Sequence, residues 1–218
     1  MSLVKKAAYT SSLFAAFFCF YFAIQLTVKV NGVDLLLEID SLIPLIPEFI
    51  WLYWSLPIQI FFVMVYMIRD KELFFQTFWS CLFSSLIMFV FYLVLPSFYP
   101  RSSIEISTIS ASMLELTRSF DGSHNTFPSG HVIFTWLMYI AAAKSRFVKQ
   151  SNYFNFVFLF WTVGITLSTL IVKQHFIVDV IFGCILAFAV FHLVTRFTEH
   201  CRPSVLFKSM GQGGAQLD

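Results

Sequence analysis

Apolar residues in this chain fall in long blocks separated by short polar interruptions, a pattern too extended for the alternation of strands or the stripes of soluble helices. A bilayer core takes roughly 20 apolar residues per helical span. Blocks of that length lie at about 8–29, 49–68, 74–96, 129–146, 153–173 and 175–197. They predict an all-α polytopic membrane protein, a bundle of six transmembrane helices occupying residues 1–218 as one domain. Between the first two blocks, Asn31 to Glu48 mixes apolar and acidic residues, with Pro44 and Pro47 limiting helix length. It reads as a short amphipathic segment on the membrane surface. The longest polar stretch, Ser97 to Phe127, reads as a loop.

Composition agrees with this pattern: 58% of the 218 residues are hydrophobic and 12% charged, against roughly 25% charged in soluble domains. The net charge of +2 is small and its cations scattered, which argues against a nucleic-acid surface. Cys19, Cys81, Cys184 and Cys201 have no paired or metal-ligand spacing and read as packing residues. Lys5 and Lys6 before the first block imitate a signal peptide, but the block is longer than a signal core and no small-residue cleavage site follows, so a retained helix is expected.

Charge sets the expected orientation, because cationic loops resist translocation. One side collects Lys5, Lys6, Arg69, Lys71, Lys144, Arg146, Lys149, Arg196, Arg202 and Lys208, and the other only Lys29, Arg101, Arg118 and Lys173, ten of the 14 cations against four. Both termini are therefore expected in the cytoplasm, and Ser97 to Phe127 on the periplasmic, lumenal or exterior face.

Two constellations on that outer face carry chemistry. In Phe127-Pro128-Ser129-Gly130-His131 a polar loop becomes an apolar helix. Pro and Ser suit a helix start, and free first-turn amides, including those of Ser129 and Gly130, suit an anion. In Lys173-Gln174-His175-Phe176-Ile177-Val178-Asp179, His175 and Asp179 are four apart and share a helix face. An ionised Asp in a membrane helix is costly unless paired, and the imidazole is its natural partner. Such a pair can present His175 as a nucleophile to phosphorus while Asp179 stabilises the ring's positive charge. Arg101 and Lys173 are available as phosphate-binding cations, and His131 as general acid and then base.

Pro128-Ser129-Gly130-His131 and His175-x-x-x-Asp179 resemble the second and third motifs of the type 2 phosphatidic acid phosphatase (PAP2) superfamily. The resemblance covers about residues 36–197 and implies a metal-independent reaction without a cofactor, through a phosphohistidine on His175, in a helical core open to the non-cytoplasmic side. It departs from the pattern in two places. The first motif's Lys-x6-Arg-Pro is represented only by Tyr99-Pro100-Arg101-Ser102, with Val94 at the Lys position. The third motif's Ser-Arg is replaced by Ser168-Thr169, with Lys173 a candidate substitute cation. These departures, with Asp40 to Pro47, resemble the branch that includes inositol phosphorylceramide synthases.

Each residue also has a plainer explanation: His175 and Asp179 as a structural pair, Lys173 and Arg101 as headgroup anchors, His124 and Asn125 as loop residues, and the 29 Phe as packing and lipid-facing bulk. Two His and an Asp could also ligate zinc. Three functions follow: a lipid phosphatase acting on a phosphate monoester or diphosphate, a lipid phosphotransferase that uses an alcohol in place of water, and a non-enzymatic transporter. The first is the simplest chemistry, and its partners are a lipid phosphate and the bilayer.

Overall fold

The computed structural model describes residues 1–28, 32–101 and 103–200. Lys29, Asn31, Ser102, Cys201, Arg202 and Lys208, named above, lie outside the described residues. The chain is nearly all helical. Helix α1 (Leu3–Thr27) is followed by a two-residue strand β1 (Val33–Asp34), a short α2 (Glu38–Leu42), α3 (Ile50–Tyr53) and α4 (Leu56–Phe61), which continues as a π-helical run over Phe62–Met67. Then come α5 (Lys71–Val94), β2 (Ser97–Phe98), α6 (Ile109–Asp121), α7 (Gly130–Lys144), α8 (Arg146–Lys149), α9 (Asn152–Ile171) and α10 (Ile177–His200).

Five stretches are helical, long and apolar enough to cross a membrane: Leu3–Thr27, Pro47–Met67, Lys71–Val94, Asn152–Ile171 and Ile177–His200. The block predicted at 129–146 is α7, whose 15 residues rise about 22 Å at 1.5 Å each, short of a roughly 30 Å core. It is the most enclosed helix of the bundle, packed against α4, α5, α9 and α10. Val132, Leu137, Met138, Ala141 and Ala142 are fully buried along it. The second span is interrupted where Pro57, lacking an N–H, enters the first turn of α4. The Ser55 hydroxyl there donates to the Leu52 carbonyl at 2.6 Å.

Two departures from the sequence reading shape the outer end. The stretch read as a loop contains α6, started by Thr108, whose hydroxyl accepts from Ala111 N at 3.1 Å. Ala111, Leu114, Thr117 and Arg118 form its buried face. The segment read as lying on the membrane surface is docked onto the bundle. β1 pairs in parallel with β2, Val33 with Ser97 and Asp34 with Phe98. Ile46 N donates to the Ile171 carbonyl at 3.3 Å, holding the segment to the end of α9.

The interior includes polar groups, and several are paired, as a low-dielectric environment favours. In mid-bundle Gln59 donates to Thr162 at 3.0 Å and accepts from Thr135 at 2.7 Å, joining α4, α9 and α7. At the opposite end from the polar loops, the Lys6 ammonium donates to the carbonyls of Val65, at 3.1 Å, and Ile68, which the end of the π-helical run leaves free. Cys81 is buried and unpaired, Cys184 half-buried and Cys19 exposed.

Helices α7 and α10 approach closely at Gly183, where an added Cβ would stand 3.2 Å from the Ser129 carbonyl oxygen and from Val132 Cβ. Neither neighbour is the free end of a flexible side chain. Gly183→Val is therefore expected to cost about 1–3 kcal/mol of stability and to push α10 away from the turn before α7. Thermal unfolding in detergent measures this, and an unchanged midpoint would mean that the interface has slack.

Candidate active site

His175 lies in the turn between α9 and α10, and that turn is tightly determined. Lys173 adopts a left-handed conformation, φ 57°, which reverses the chain. The Thr169 carbonyl then accepts from both Gln174 N, at 3.0 Å, and His175 N, at 3.2 Å. Two carboxylates close the start of α10. Asp179 accepts from Phe176 N at 2.9 Å, reaching back from the third helical position as in a capping box. Asp40, from α2, accepts from Ile177 N at 2.9 Å. The second oxygen of Asp40 accepts from Leu37 N at 2.9 Å, and its main-chain carbonyl accepts from the Lys173 ammonium at 2.6 Å.

The His175 ring is oriented from its Nδ1 side. Nδ1 is 2.9 Å from the Thr126 carbonyl oxygen and 3.4 Å from Asp179 Oδ2. A carbonyl only accepts, so Nδ1 carries the proton and the lone pair of a neutral ring is on Nε2. The expected pair with Asp179 is present, but the nearer partner of the ring is a backbone oxygen in the loop before α7. Asp179 is fully buried, and its Oδ1 has no hydrogen-bond partner among the described residues.

His131 is the second residue of α7, and its ring stacks on Tyr53 with centroids 3.8 Å apart and planes 21° apart. Ser129 is the N-cap of α7, its hydroxyl accepting from Val132 N at 3.4 Å. Ser129 N itself donates to the Asp179 carbonyl at 3.3 Å, which joins the starts of α7 and α10 directly.

Arg101 is partly buried against the C-terminal end of α6. Its guanidinium donates to the Arg118 carbonyl at 2.6 Å, to the Gly122 carbonyl, and to Gln174 Oε1 at 3.0 Å. Burial lowers its pKa and the nearby Asp121 carboxylate opposes that shift; it remains a cation. Gly122 ends α6 at φ 53°, a conformation glycine tolerates best.

These groups meet at a cavity of about 330 Å³. Its polar end has Arg101, Asp121, Asn125, Gly130, His131, Gln174 and His175 on its walls. Its other walls are aromatic and aliphatic: Phe14, Phe17, Phe18 and Phe22 of α1, Leu56, Ile60 and Phe61 of α4, and Phe134 of α7. Of the seven residues expected from sequence, His131, His175, Arg101 and Gly130 are thus brought to one cavity. Ser129 and Asp179 stand just behind it and hold its helix starts. Lys173 is not brought there; its ammonium faces the Asp40 carbonyl, and burial lowers its pKa. Among the described residues, no three His, Cys, Asp or Glu side chains converge as a metal-ligand set.

Tyr53, Asp121, Thr126 and Gln174, to which no motif gives a role, also border the cavity, as does Asn125, expected to be a loop residue. Asn125 sits in the left-handed region at φ 62°. The one local sign in the sequence is the residue type, an Asn three positions before Pro128, since Asn tolerates that conformation better than most residues.

The motifs that carry His131 and His175, with part of the cavity lining, lie within the stretch that matches a family. Residues 75–203 match the model of the PAP2 superfamily, and the chain belongs to it. Members of this superfamily are generally phosphatases or related phosphotransferases. Neither a curated protein nor a solved structure gives a significant match.

Asp40 supplies acceptors to two otherwise open N–H groups, and Asp40→Ala should cost about 1–3 kcal/mol and loosen the His175 turn. Asp40→Asn, which keeps one acceptor oxygen, should lose less. Thermal unfolding together with hydrogen exchange at the Ile177 amide would test this; unaltered exchange in Asp40→Ala would remove Asp40 from the support of the turn.

Proposed function

We propose that the protein transfers a phosphoryl group from a lipid phosphate to His175 and then to water, as a lipid phosphatase. The observation that carries this is the Nδ1 contact of His175 with the Thr126 carbonyl, which leaves Nε2 as the nucleophilic atom of a ring that borders the cavity. Nε2 attacks phosphorus as the bond to the lipid oxygen breaks, and His131 gives that oxygen a proton. The phosphorylated ring is cationic, and the Asp179 carboxylate behind it stabilises that charge. Water then attacks phosphorus, His131 takes its proton, the P–N bond breaks and inorganic phosphate leaves.

Charge in flight on the phosphoryl oxygens needs fixed donors. Arg101 has N–H groups beyond those given to Arg118, Gly122 and Gln174, and the Gly130 amide belongs to the open first turn of α7. Lys173 acts on the geometry of the His175 turn through Asp40. The aromatic walls of α1, α4 and α7 suit the lipid chains. The cavity lies at the end of the bundle opposite Lys6 and Arg69, and the excess of Lys and Arg at that opposite end favours cytoplasmic termini and a site facing the other side.

The same residues serve an alcohol acceptor, which is the second reading. A carboxylate and a carboxamide on the cavity wall, Asp121 and Asn125, favour it, the carboxamide having no partner among the described residues.

His175→Ala and Asp179→Ala should abolish phosphate release from lipid phosphates by the purified protein, with and without chelator. His131→Ala should lower kcat by about 100- to 10,000-fold, the range of general acid–base catalysis. Arg101→Lys, which loses the planar fork, should weaken turnover. Full activity of His175→Ala would end the phosphohistidine mechanism, and loss of wild-type activity to chelator would end its metal independence.

A further inference from the structure

Asp121 is a carboxylate on the wall of a cavity that otherwise suits an anion. No ion pair to it is found among the described residues, the Arg101 guanidinium being engaged by carbonyls and Gln174. Its partners are two phenols: Tyr21 of α1 donates to Oδ1, and Tyr53 donates to Oδ2 at 3.4 Å. A carboxylate offers about four acceptor positions, so capacity is left over at a residue that borders the cavity. Burial raises its pKa, while the Tyr21 hydrogen bond and the nearby His175 and Arg101 oppose that rise.

Asn125 gives a second, independent sign. It is 3% exposed, borders the same cavity, and neither Oδ1 nor Nδ2 of its carboxamide has a hydrogen-bond partner among the described residues. Whichever way the amide is turned, an acceptor is left unsatisfied, and a buried unsatisfied group of this kind is costly unless a ligand fills it.

We propose that Asp121 and Asn125 form a hydroxyl-accepting subsite beside the phosphoryl site, so that the ligand brings an alcohol hydroxyl next to the phosphate being transferred. This rests on the phosphoryl-transfer reading and narrows its substrate class. A phosphate dianion alone is repelled by Asp121, whereas a neutral hydroxyl donates its one hydrogen to the carboxylate and accepts from the Asn125 amide nitrogen. The hydroxyl comes from the headgroup of the phosphate donor or from a separate acceptor alcohol. In the second case the P–N bond to His175 breaks as the alcohol oxygen bonds to phosphorus, and the hydroxyl proton passes to the Asp121 carboxylate that accepts it.

The test uses the purified full chain in lipid nanodiscs with three substrates: phosphatidate, which has no headgroup hydroxyl; phosphatidylglycerol phosphate, which has one; and phosphatidate with added glycerol. Phosphate and glycerol phosphate are measured for wild type and Asp121→Asn. A wild-type preference in kcat/KM for phosphatidylglycerol phosphate that falls at least about tenfold in Asp121→Asn, the size of one hydrogen bond to a charged acceptor, places the hydroxyl on the donor. Glycerol phosphate made at the expense of free phosphate, and lost to the same extent in the variant, places it on the acceptor. Absence of both preferences in wild type, or an equal fall with all three substrates, overturns the subsite. Should Asp121→Asn fail to fold, Tyr21→Phe frees one carboxylate position and should raise whichever preference wild type shows; an unchanged ratio overturns the subsite. Turnover that survives His175→Ala instead refutes the phosphoryl-transfer reading itself, a separate result.

Discussion

The backbone amides that open α10 must find acceptors in a place where water is scarce, and two carboxylates meet that requirement. Asp179 supplies one acceptor from within the helix and Asp40 the other from α2, about 140 residues earlier in the chain. Because the Asp40 carbonyl also receives the Lys173 ammonium, three connections converge on the five residues that contain His175. A buried amide left without an acceptor costs about 1–3 kcal/mol, so the position of the imidazole is tied to the integrity of these caps. The Ser129 N–H to Asp179 carbonyl contact passes that constraint to the start of α7, where His131 lies.

Asp179 thus has two tasks. It was legible as a partner for His175 from the i, i+4 spacing, and it does stand 3.4 Å from Nδ1. Its shorter contact is with the Phe176 amide, and the ring's shorter contact is with Thr126. A carboxylate that caps a helix is held fixed, so in the proposed mechanism it meets the cation formed on the imidazole without moving, the condition under which electrostatic stabilisation is strongest.

Much of the fold was legible because hydrophobic length is a direct response to bilayer thickness. The blocks at 8–29, 49–68, 74–96, 153–173 and 175–197 correspond to α1, Pro47–Met67, α5, α9 and α10 within a few residues. Helix α7 was found as an apolar block, but its brevity follows from a loop that ends at Pro128, and apolar composition does not record helix length. Helix α6 was missed because its Ser and Thr content hides a spacing of buried residues that only α3 and its neighbours make apolar. Within the site, the residues that a motif places on adjacent turns were legible. Tyr21, Tyr53, Asp121 and Gln174 were not, since they come together from α1, α3, the end of α6 and the turn before α10, and no spacing along the chain encodes such a meeting.

Helix α1 stands outside the stretch that matches the PAP2 superfamily, and much of its length is exposed. Yet Phe14, Phe17, Phe18 and Phe22 form one wall of the cavity, and Tyr21 touches Asp121. The groups proposed to carry out chemistry and the surface proposed to meet the rest of the ligand therefore belong to different parts of the chain. Under the proposed function, evolution can vary the wall by substitutions in a single peripheral helix while the imidazoles and their caps stay as they are, so that a change of lipid need not pass through a loss of the reaction.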